Sequence, residues 1–259
     1  MGQLKKQRKN VLSRCSTLHY AKLIYRSGLF LAVAAVYLAG KISGMDTAIS
    51  DGHNLQWLRA LIWIVFTVEM VLRLFPSSVE SMGCQKQFAR NYRPNPGKEL
   101  PDLTQPKKRV AAVAAAWIVL NGIIGALYFL KVIDRDLLII ICLGYAVCDM
   151  ICILFFCPFQ TWFMKNKCCT TCKIYNWDYA MMFTPLVFIP GIYTWSLLAL
   201  AITILIVWQV RLHRYPERFC EQTNQSLACQ NCQEKLCHHK KQLQHFLKKH
   251  RRAITEEGL

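Results

Sequence analysis

Charged residues are scarce in this chain, and acidic residues are the scarcest. Charged side chains make up 18% of the 259 residues, against about 25% in an average soluble domain. Only 15 acidic residues face 32 lysines and arginines, which gives a formal net charge of +17. Hydrophobic residues reach 54%, and several apolar runs have the length of about 18 residues that spans a membrane. The composition therefore predicts an integral membrane protein.

The motifs that identify common enzymes are also missing. The sequence contains no phosphate-binding loop, no G-x-S-x-G and no H-E-x-x-H, which argues against the common NTPases, hydrolases and zinc proteases. No predicted span has a histidine at its centre, which disfavours a haem held by two membrane histidines. The basic residues lie between apolar runs and at both ends. We expect them to orient the protein in the membrane, and we predict no nucleic-acid partner.

Six apolar segments are separated by polar connections. We predict spans at 23–42, 55–75, 110–131, 137–156, 174–189 and 192–211. The last two come from one long apolar stretch that Pro190-Gly191 divides, and Pro-Gly is a turn signal. A single helix there would place the basic C-terminal tail outside, whereas a hairpin keeps every basic connection on one side. The positive-inside rule favours the hairpin, with both termini in the cytoplasm.

The predicted fold is an all-α bundle of six transmembrane helices in the plasma membrane, with a cytoplasmic cysteine-rich metal-binding region and a basic C-terminal helix. We expect that helix to lie on anionic lipids of the inner leaflet. The loop at 77–108 contains four prolines, and we interpret it as a linker. The predicted segments are a basic tail at 1–22, four spans within 23–156, a cysteine cluster at 157–173, the hairpin at 174–211 and a tail at 212–259.

Cysteine is abundant, and eight of the 13 cysteines flank the hairpin in two groups of four. The groups are Cys157, Cys168, Cys169 and Cys172, and then Cys220, Cys229, Cys232 and Cys237. Each group contains one C-x2-C pair, a spacing that lets two sulfurs approach one metal ion from a tight turn. The predicted topology places both groups in the reducing cytoplasm. Clustered thiols there are typical of metal ligands and not of disulfides.

The cysteine spacing does not identify the metal. Thiolates suit zinc and iron–sulfur clusters, and neither group matches the zinc-ribbon or bacterial ferredoxin pattern. Two sets of four thiols exceed what one structural zinc needs, which favours one or two [4Fe–4S] clusters. The leading hypothesis is membrane-linked electron transfer with a quinone or a redox protein as partner. The alternative is a transporter or membrane scaffold with structural zinc. We interpret Cys148 and Cys152, inside the fourth span, as small buried apolar side chains.

Three further polar side chains, Glu69, Asn121 and Asp149, fall inside predicted spans. An ionisable group at mid-bilayer costs about 2.5–3.5 kcal/mol on insertion scales, so such groups usually face the bundle interior. One interpretation is a cofactor or quinone pocket formed by the three residues. The other is structural, with Glu69 paired to Arg73 one turn away and Asn121 bonded across helices.

Overall fold

The structure is a computed structural model that describes residues 14–43, 56–76, 82–100, 104–166, 168–228 and 231. These residues contain seven α-helices: α1 Arg14–Ser43, α2 Gln56–Leu74, α3 Met82–Gln87, α4 Thr104–Phe129, α5 Arg135–Leu154, α6 Asp178–Phe183 and α7 Ile192–Arg214. Four of them, α1, α4, α5 and α7, are long and apolar enough to cross a membrane. The same residues contain no β-strand. The prediction of an all-α fold is confirmed, and the four long helices fit a membrane protein.

Local sequence explains where the long helices begin and end. Asp134 caps α5, because its side chain accepts a hydrogen bond from the Leu137 backbone N–H. The last turn of α7 carries Arg211 and Arg214, which the partial negative charge of a helix C-terminus stabilises. Helix α2 ends two residues before Pro76, since proline cannot continue the helical hydrogen-bond pattern.

The predicted fifth span does not form one continuous α-helix. Tyr175–Trp177 is a 3-10 turn, α6 has six residues, and Thr184–Phe188 is again a 3-10 helix. Pro185 lies at the start of this second 3-10 segment, where it removes a backbone donor. Helix α7 packs against both α6 and the 184–188 segment. The chain therefore turns back on itself at Pro190-Gly191, while the membrane-spanning hairpin stays a prediction.

The helices bury one shared core and expose apolar outer faces. Helix α1 packs along α5, and α2 packs against α7. The core between them includes Phe66, Leu138, Tyr179, Ile204 and Trp208. Ile24, Ile118 and Ile206 face outward and are 72%, 69% and 56% exposed. Because such surface is unfavourable in water, these outer faces fit contact with lipid.

Residues 82–100, which the sequence interpretation assigns to a linker, are packed against a distant part of the chain. The Asn95 backbone N–H donates to the Thr223 carbonyl at 3.1 Å, and the Gln225 N–H donates to the Arg93 carbonyl at 2.8 Å. Asn224 is fully buried and donates to the Lys86 carbonyl at 3.1 Å. The linker interpretation is therefore wrong for this part of the loop, which forms one wall of the site described below.

Candidate functional site at the cysteine-rich end of the bundle

A cavity of about 270 Å³ lies where α5 ends and the first cysteine group begins. Most of its lining is apolar, with aromatic rings from Trp117, Tyr145 and Phe159. Five thiols also line it, and we refer to it as the thiol cavity: Cys148, Cys152, Cys157, Cys169 and Cys172. Three of these five belong to the predicted first metal-ligand group.

Hydrogen bonds hold several of these thiols in place. Cys157 follows the end of α5 and hydrogen-bonds to Cys152 on its last turn. The Gln160 backbone N–H donates to Cys157 Sγ at 3.3 Å, and Cys169 Sγ donates to Gln160 Oε1 at 2.9 Å. Cys148 is exposed and Cys152 is half-buried. The interpretation of these two cysteines as buried apolar residues is therefore wrong, because α5 turns this face towards the cavity.

The described thiols do not form a complete set of metal ligands. No group of three or more Cys, His, Asp or Glu side chains in the described residues is arranged to hold a metal ion. None of the nine cysteines whose side chains are described forms a disulfide. Cys168 instead contacts Thr170 Oγ1, at 3.1 Å. Burial raises the pKa of Cys172 to about 12, so its thiol is protonated at neutral pH and a metal binding there would displace a proton.

One cysteine from each predicted group lines a larger cleft of about 850 Å³. Cys172 from the first group and Cys220 from the second both line this cleft. Because Cys172 also lines the thiol cavity, the two cavities share a wall. We call the larger one the basic cleft, after four cations in its lining: Lys98, Arg109, Lys165 and Lys173. The remaining predicted ligands, Cys229, Cys232 and Cys237, and the predicted basic C-terminal helix lie outside the described residues.

Two carboxylates line the thiol cavity, and each is paired with a buried arginine. Asp149 Oδ2 lies 3.1 Å from Arg26 Nη1, and Asp178 Oδ2 lies 2.5 Å from Arg73 Nη1. The second oxygen of Asp178, Oδ1, is buried and accepts no hydrogen bond from the described residues. This oxygen is a buried acceptor beside a cavity whose lining is mostly apolar.

Glu69 belongs to the same set of charges but uses different partners from those predicted. Its carboxylate lies 2.6 Å from Arg26 Nη2 and 3.3 Å from Lys22 Nζ, and it accepts a hydrogen bond from the Tyr25 hydroxyl. The predicted Glu69–Arg73 pair is not formed, because Arg73 turns towards the segment before α6. We refer to these six groups as the charge network: Lys22, Arg26, Arg73, Glu69, Asp149 and Asp178.

Asn121 does not join Glu69 and Asp149 in one pocket. Its amide donates at 3.0 Å to the Trp117 carbonyl in the preceding turn of α4, and not across helices as predicted. Its buried Oδ1 has no partner among the described residues. Of the three predicted cofactor residues, only Asp149 lines the thiol cavity. Similar depth in the membrane does not bring side chains together, because the rotation of each helix decides which face a residue occupies.

The sequence interpretation missed Arg26, although a signal was present. Arg26 is the only charged residue in the apolar run 23–40, and a lone charge in such a run indicates a buried partner. Asp178, which closes the network at Arg73, carried the same signal, because it is the only charged residue in the predicted span 174–189. Comparison of the chain with protein-family models, with curated proteins and with solved structures gives no match.

Proposed function

We propose that this membrane protein binds a cysteine-ligated metal centre, an iron–sulfur cluster, at one end of its bundle and serves membrane-linked electron transfer. The observation that supports the proposal most is that one cysteine from each group lines the same cleft. Cys172 and Cys220, from segments on either side of the hairpin, line the same cleft. A ligand set drawn from both groups is therefore compatible with the path of the chain.

Such a centre needs ligands beyond the described thiols. Cys229 and Cys232 follow Cys220 closely in sequence, and we assign the completing ligands to them and to Cys237. The lysines and arginine of the basic cleft would stabilise the thiolate form that a metal requires. In the proposed six-span topology, with both termini in the cytoplasm, this end of the bundle faces a reducing compartment, which also favours metal ligation over disulfides.

A quinone is the electron partner that the thiol cavity suits best. The cavity is apolar and lined by aromatic rings, as a quinone headgroup requires. A quinol hydroxyl could donate to Asp178 Oδ1, the buried acceptor that the described residues leave without a hydrogen bond. Asp149 lies in the same lining. We therefore retain the predicted cofactor pocket with Asp149 as a member, and we no longer include Asn121 and Glu69.

The identity of the metal separates this proposal from the alternative of a transporter or scaffold with structural zinc. Protein purified without oxygen is expected to contain iron and sulfide and to absorb broadly near about 400 nm, where iron–sulfur charge transfer falls. Metal analysis and absorption spectroscopy measure both properties. Because zinc has no redox chemistry, a colourless protein that contains zinc and no iron would contradict electron transfer and support the structural role.

Cysteine variants test which thiols bind the metal. Cys172→Ser and Cys232→Ser are each expected to lower the metal content per chain, because serine is a poor ligand for a soft metal. Cys142→Ser is the matched control, since Cys142 is buried in the helical core and lies outside both cysteine groups. If the Cys172→Ser and Cys232→Ser proteins keep the wild-type metal content, the two-group ligand set is wrong.

A further inference from the structure

The basic cleft has the size and lining of a ligand site. It has a volume of about 850 Å³, which lies within the range of pockets that hold small molecules. Three separate parts of the chain form its walls: residues 87–98, residues 164–166 with 171–176, and the end of α7 with the chain that follows, 208–228. The cleft thus lies where α4 begins and α7 ends, at the depth of a membrane surface in the proposed topology.

Positive charge dominates the lining of this cleft. Its four cations face a single acidic side chain, Glu221. Lys98, Arg109 and Lys165 have no carboxylate partner in the described part of the chain. Burial, together with the nearby Lys107, lowers the pKa of Lys173. Cations that repel one another in a concave site create a field that attracts an anion.

Neutral hydrogen-bonding groups form the floor. Gln87 and Asn176 are buried and fix each other, since the Asn176 amide donates to Gln87 Oε1 at 3.1 Å. Gln87 in turn donates to the Thr170 carbonyl at 2.9 Å. The buried indole N–H of Trp208, another lining residue, has no acceptor among the described residues. The floor therefore contains two amide side chains that hydrogen bonds hold in place, and one indole N–H without an acceptor among the described residues.

The walls are preformed. The bonds between the 86–95 segment and residues 223–225 described above hold two of the three walls together. Arg109 Nη1 donates to the Met164 carbonyl at 3.2 Å, which ties the start of α4 to the third wall. A site with fixed walls binds a ligand without first having to order its own loops.

We infer that the basic cleft binds a ligand that carries a phosphate monoester group. Clustered lysines and an arginine provide the charge-assisted hydrogen bonds that phosphate oxygens accept. Charges that only orient a membrane protein need not converge on one cavity, whereas these four do. The phosphate can come from a lipid headgroup or from a soluble phosphate ester, because the cleft lies at the ends of the spans. This inference does not require the metal centre proposed above, although two of its proposed ligands, Cys172 and Cys220, also line the cleft.

Two probes with the same phosphate group distinguish the sources. Glycerol 3-phosphate tests the soluble ligand, and phosphatidic acid in phosphatidylcholine nanodiscs tests the lipid. Either probe is expected to raise the melting temperature of the purified full-length protein in a saturable way. Lys165→Gln and Arg109→Gln should each weaken that binding by about 3- to 10-fold, as the loss of one partly exposed charged contact implies.

Matched controls keep the result interpretable. Lys108→Gln and Arg90→Gln remove exposed charges near the same end of the bundle, but neither residue lines the cleft, so both should bind like the wild type. All four variants alter exposed side chains, and equal melting temperatures without probe will show that they fold.

Saturable binding of glycerol 3-phosphate identifies a soluble ligand, and binding of phosphatidic acid alone identifies a lipid. A response to neither probe, or equal weakening by the cleft and control variants, would overturn the inference. Neither outcome bears on the metal content.

Discussion

Arg26 is a cation inside an apolar helix, and only 1% of its side chain is exposed. It contacts two carboxylates, Glu69 and Asp149, and its Nη1 also donates to the Ala146 carbonyl at 3.0 Å. The charge network as a whole balances three cations against three carboxylates. Such a balance is what makes ionised groups tolerable where water is excluded.

Replacing Arg26 is therefore expected to be costly. Arg26→Met removes the cation and leaves the two carboxylates without their shared partner, which should lower the free energy of unfolding by about 3–5 kcal/mol. Unfolding of the purified protein by denaturant in detergent micelles measures the change. A second substitution, Glu69→Gln, should restore part of the loss, because it removes one of the stranded charges.

Lys41→Met is the control for this prediction. Lys41 pairs with Asp134 at 3.0 Å, but the two side chains are 63% and 41% exposed. Water screens exposed pairs, so this substitution should change stability little. Equal losses for Arg26→Met and Lys41→Met would mean that the buried network contributes no more than a surface pair.

At this scale the sequence predicted Arg73 as the partner of Glu69 and no particular partner for Asp149, whereas both carboxylates pair with Arg26. Helical periodicity brings Arg73 next to Glu69 on α2. It carries no information about Arg26, which is 43 residues away along the chain. The choice between the two arginines depends on the packing of α1 against α2 and α5, and on Asp178 as a competing partner for Arg73.

At the scale of elements, the 3-10 segment Thr184–Phe188 depends on close approach to α4. Phe188 packs over Gly125, and a Cβ added at Gly125 would lie 2.7 Å from Phe188 Cε1. This distance is too short for two carbon atoms in contact. Only glycine allows the ring to occupy this position, so the contact fixes how closely the hairpin approaches α4.

Gly125→Ala is expected to destabilise the protein by about 1–3 kcal/mol, the usual cost of overpacking a fitted contact. Gly122→Ala provides a control in the same helix, because a Cβ there meets nothing within 4 Å. Alanine favours the helix over glycine, by about 1 kcal/mol, so Gly122→Ala should be neutral or stabilising. Thermal unfolding of both variants tests the contrast, and a Gly125→Ala protein as stable as Gly122→Ala would refute the role of this contact.

The long helices were the most predictable elements. The apolar runs that predict the first, third, fourth and sixth spans match α1, α4, α5 and α7 to within two residues at their C-terminal ends or lie inside them. About 18 apolar residues in succession have few alternatives to a helix. The 174–189 segment is less apolar, because it contains Asn176, Asp178 and Pro185, and it forms the short helix α6 between two 3-10 segments. The structure of 82–100 depends on bonds to residues 223–225, which no local pattern predicts.

At the scale of the whole molecule, the proposed topology puts the two ends of the hairpin on opposite sides of the membrane. A reagent added to intact cells should therefore reach only one of them. Ile192 begins α7 beside the Pro190-Gly191 turn and is 88% exposed, and Trp162 lies beside the first cysteine group and is 66% exposed. In that proposed topology, which follows from the positive-inside rule, the first residue lies outside the cell and the second inside.

A cysteine introduced at each position tests this orientation. A membrane-impermeant thiol reagent should label Ile192→Cys in intact cells, because the hairpin turn faces outward. Trp162→Cys should gain label only in inside-out vesicles, and wild-type protein in each preparation provides the background from native cysteines. Labelling of Trp162→Cys in intact cells would invert the topology and place the cysteine groups in an oxidising space, where they would pair as disulfides.

The wall that the thiol cavity and the basic cleft share has a thermodynamic consequence. Cys172 lines both cavities, and the adjoining residues contribute Ile174 to one lining and Asn176 to the other. An occupant that shifts this turn from one side changes the free energy of binding on the other. By linkage, the change is the same in both directions. If a phosphate ligand strengthens binding in the thiol cavity tenfold, it must itself bind tenfold more tightly when that cavity is filled. The affinity measured at either site would then depend on whether the other site is occupied.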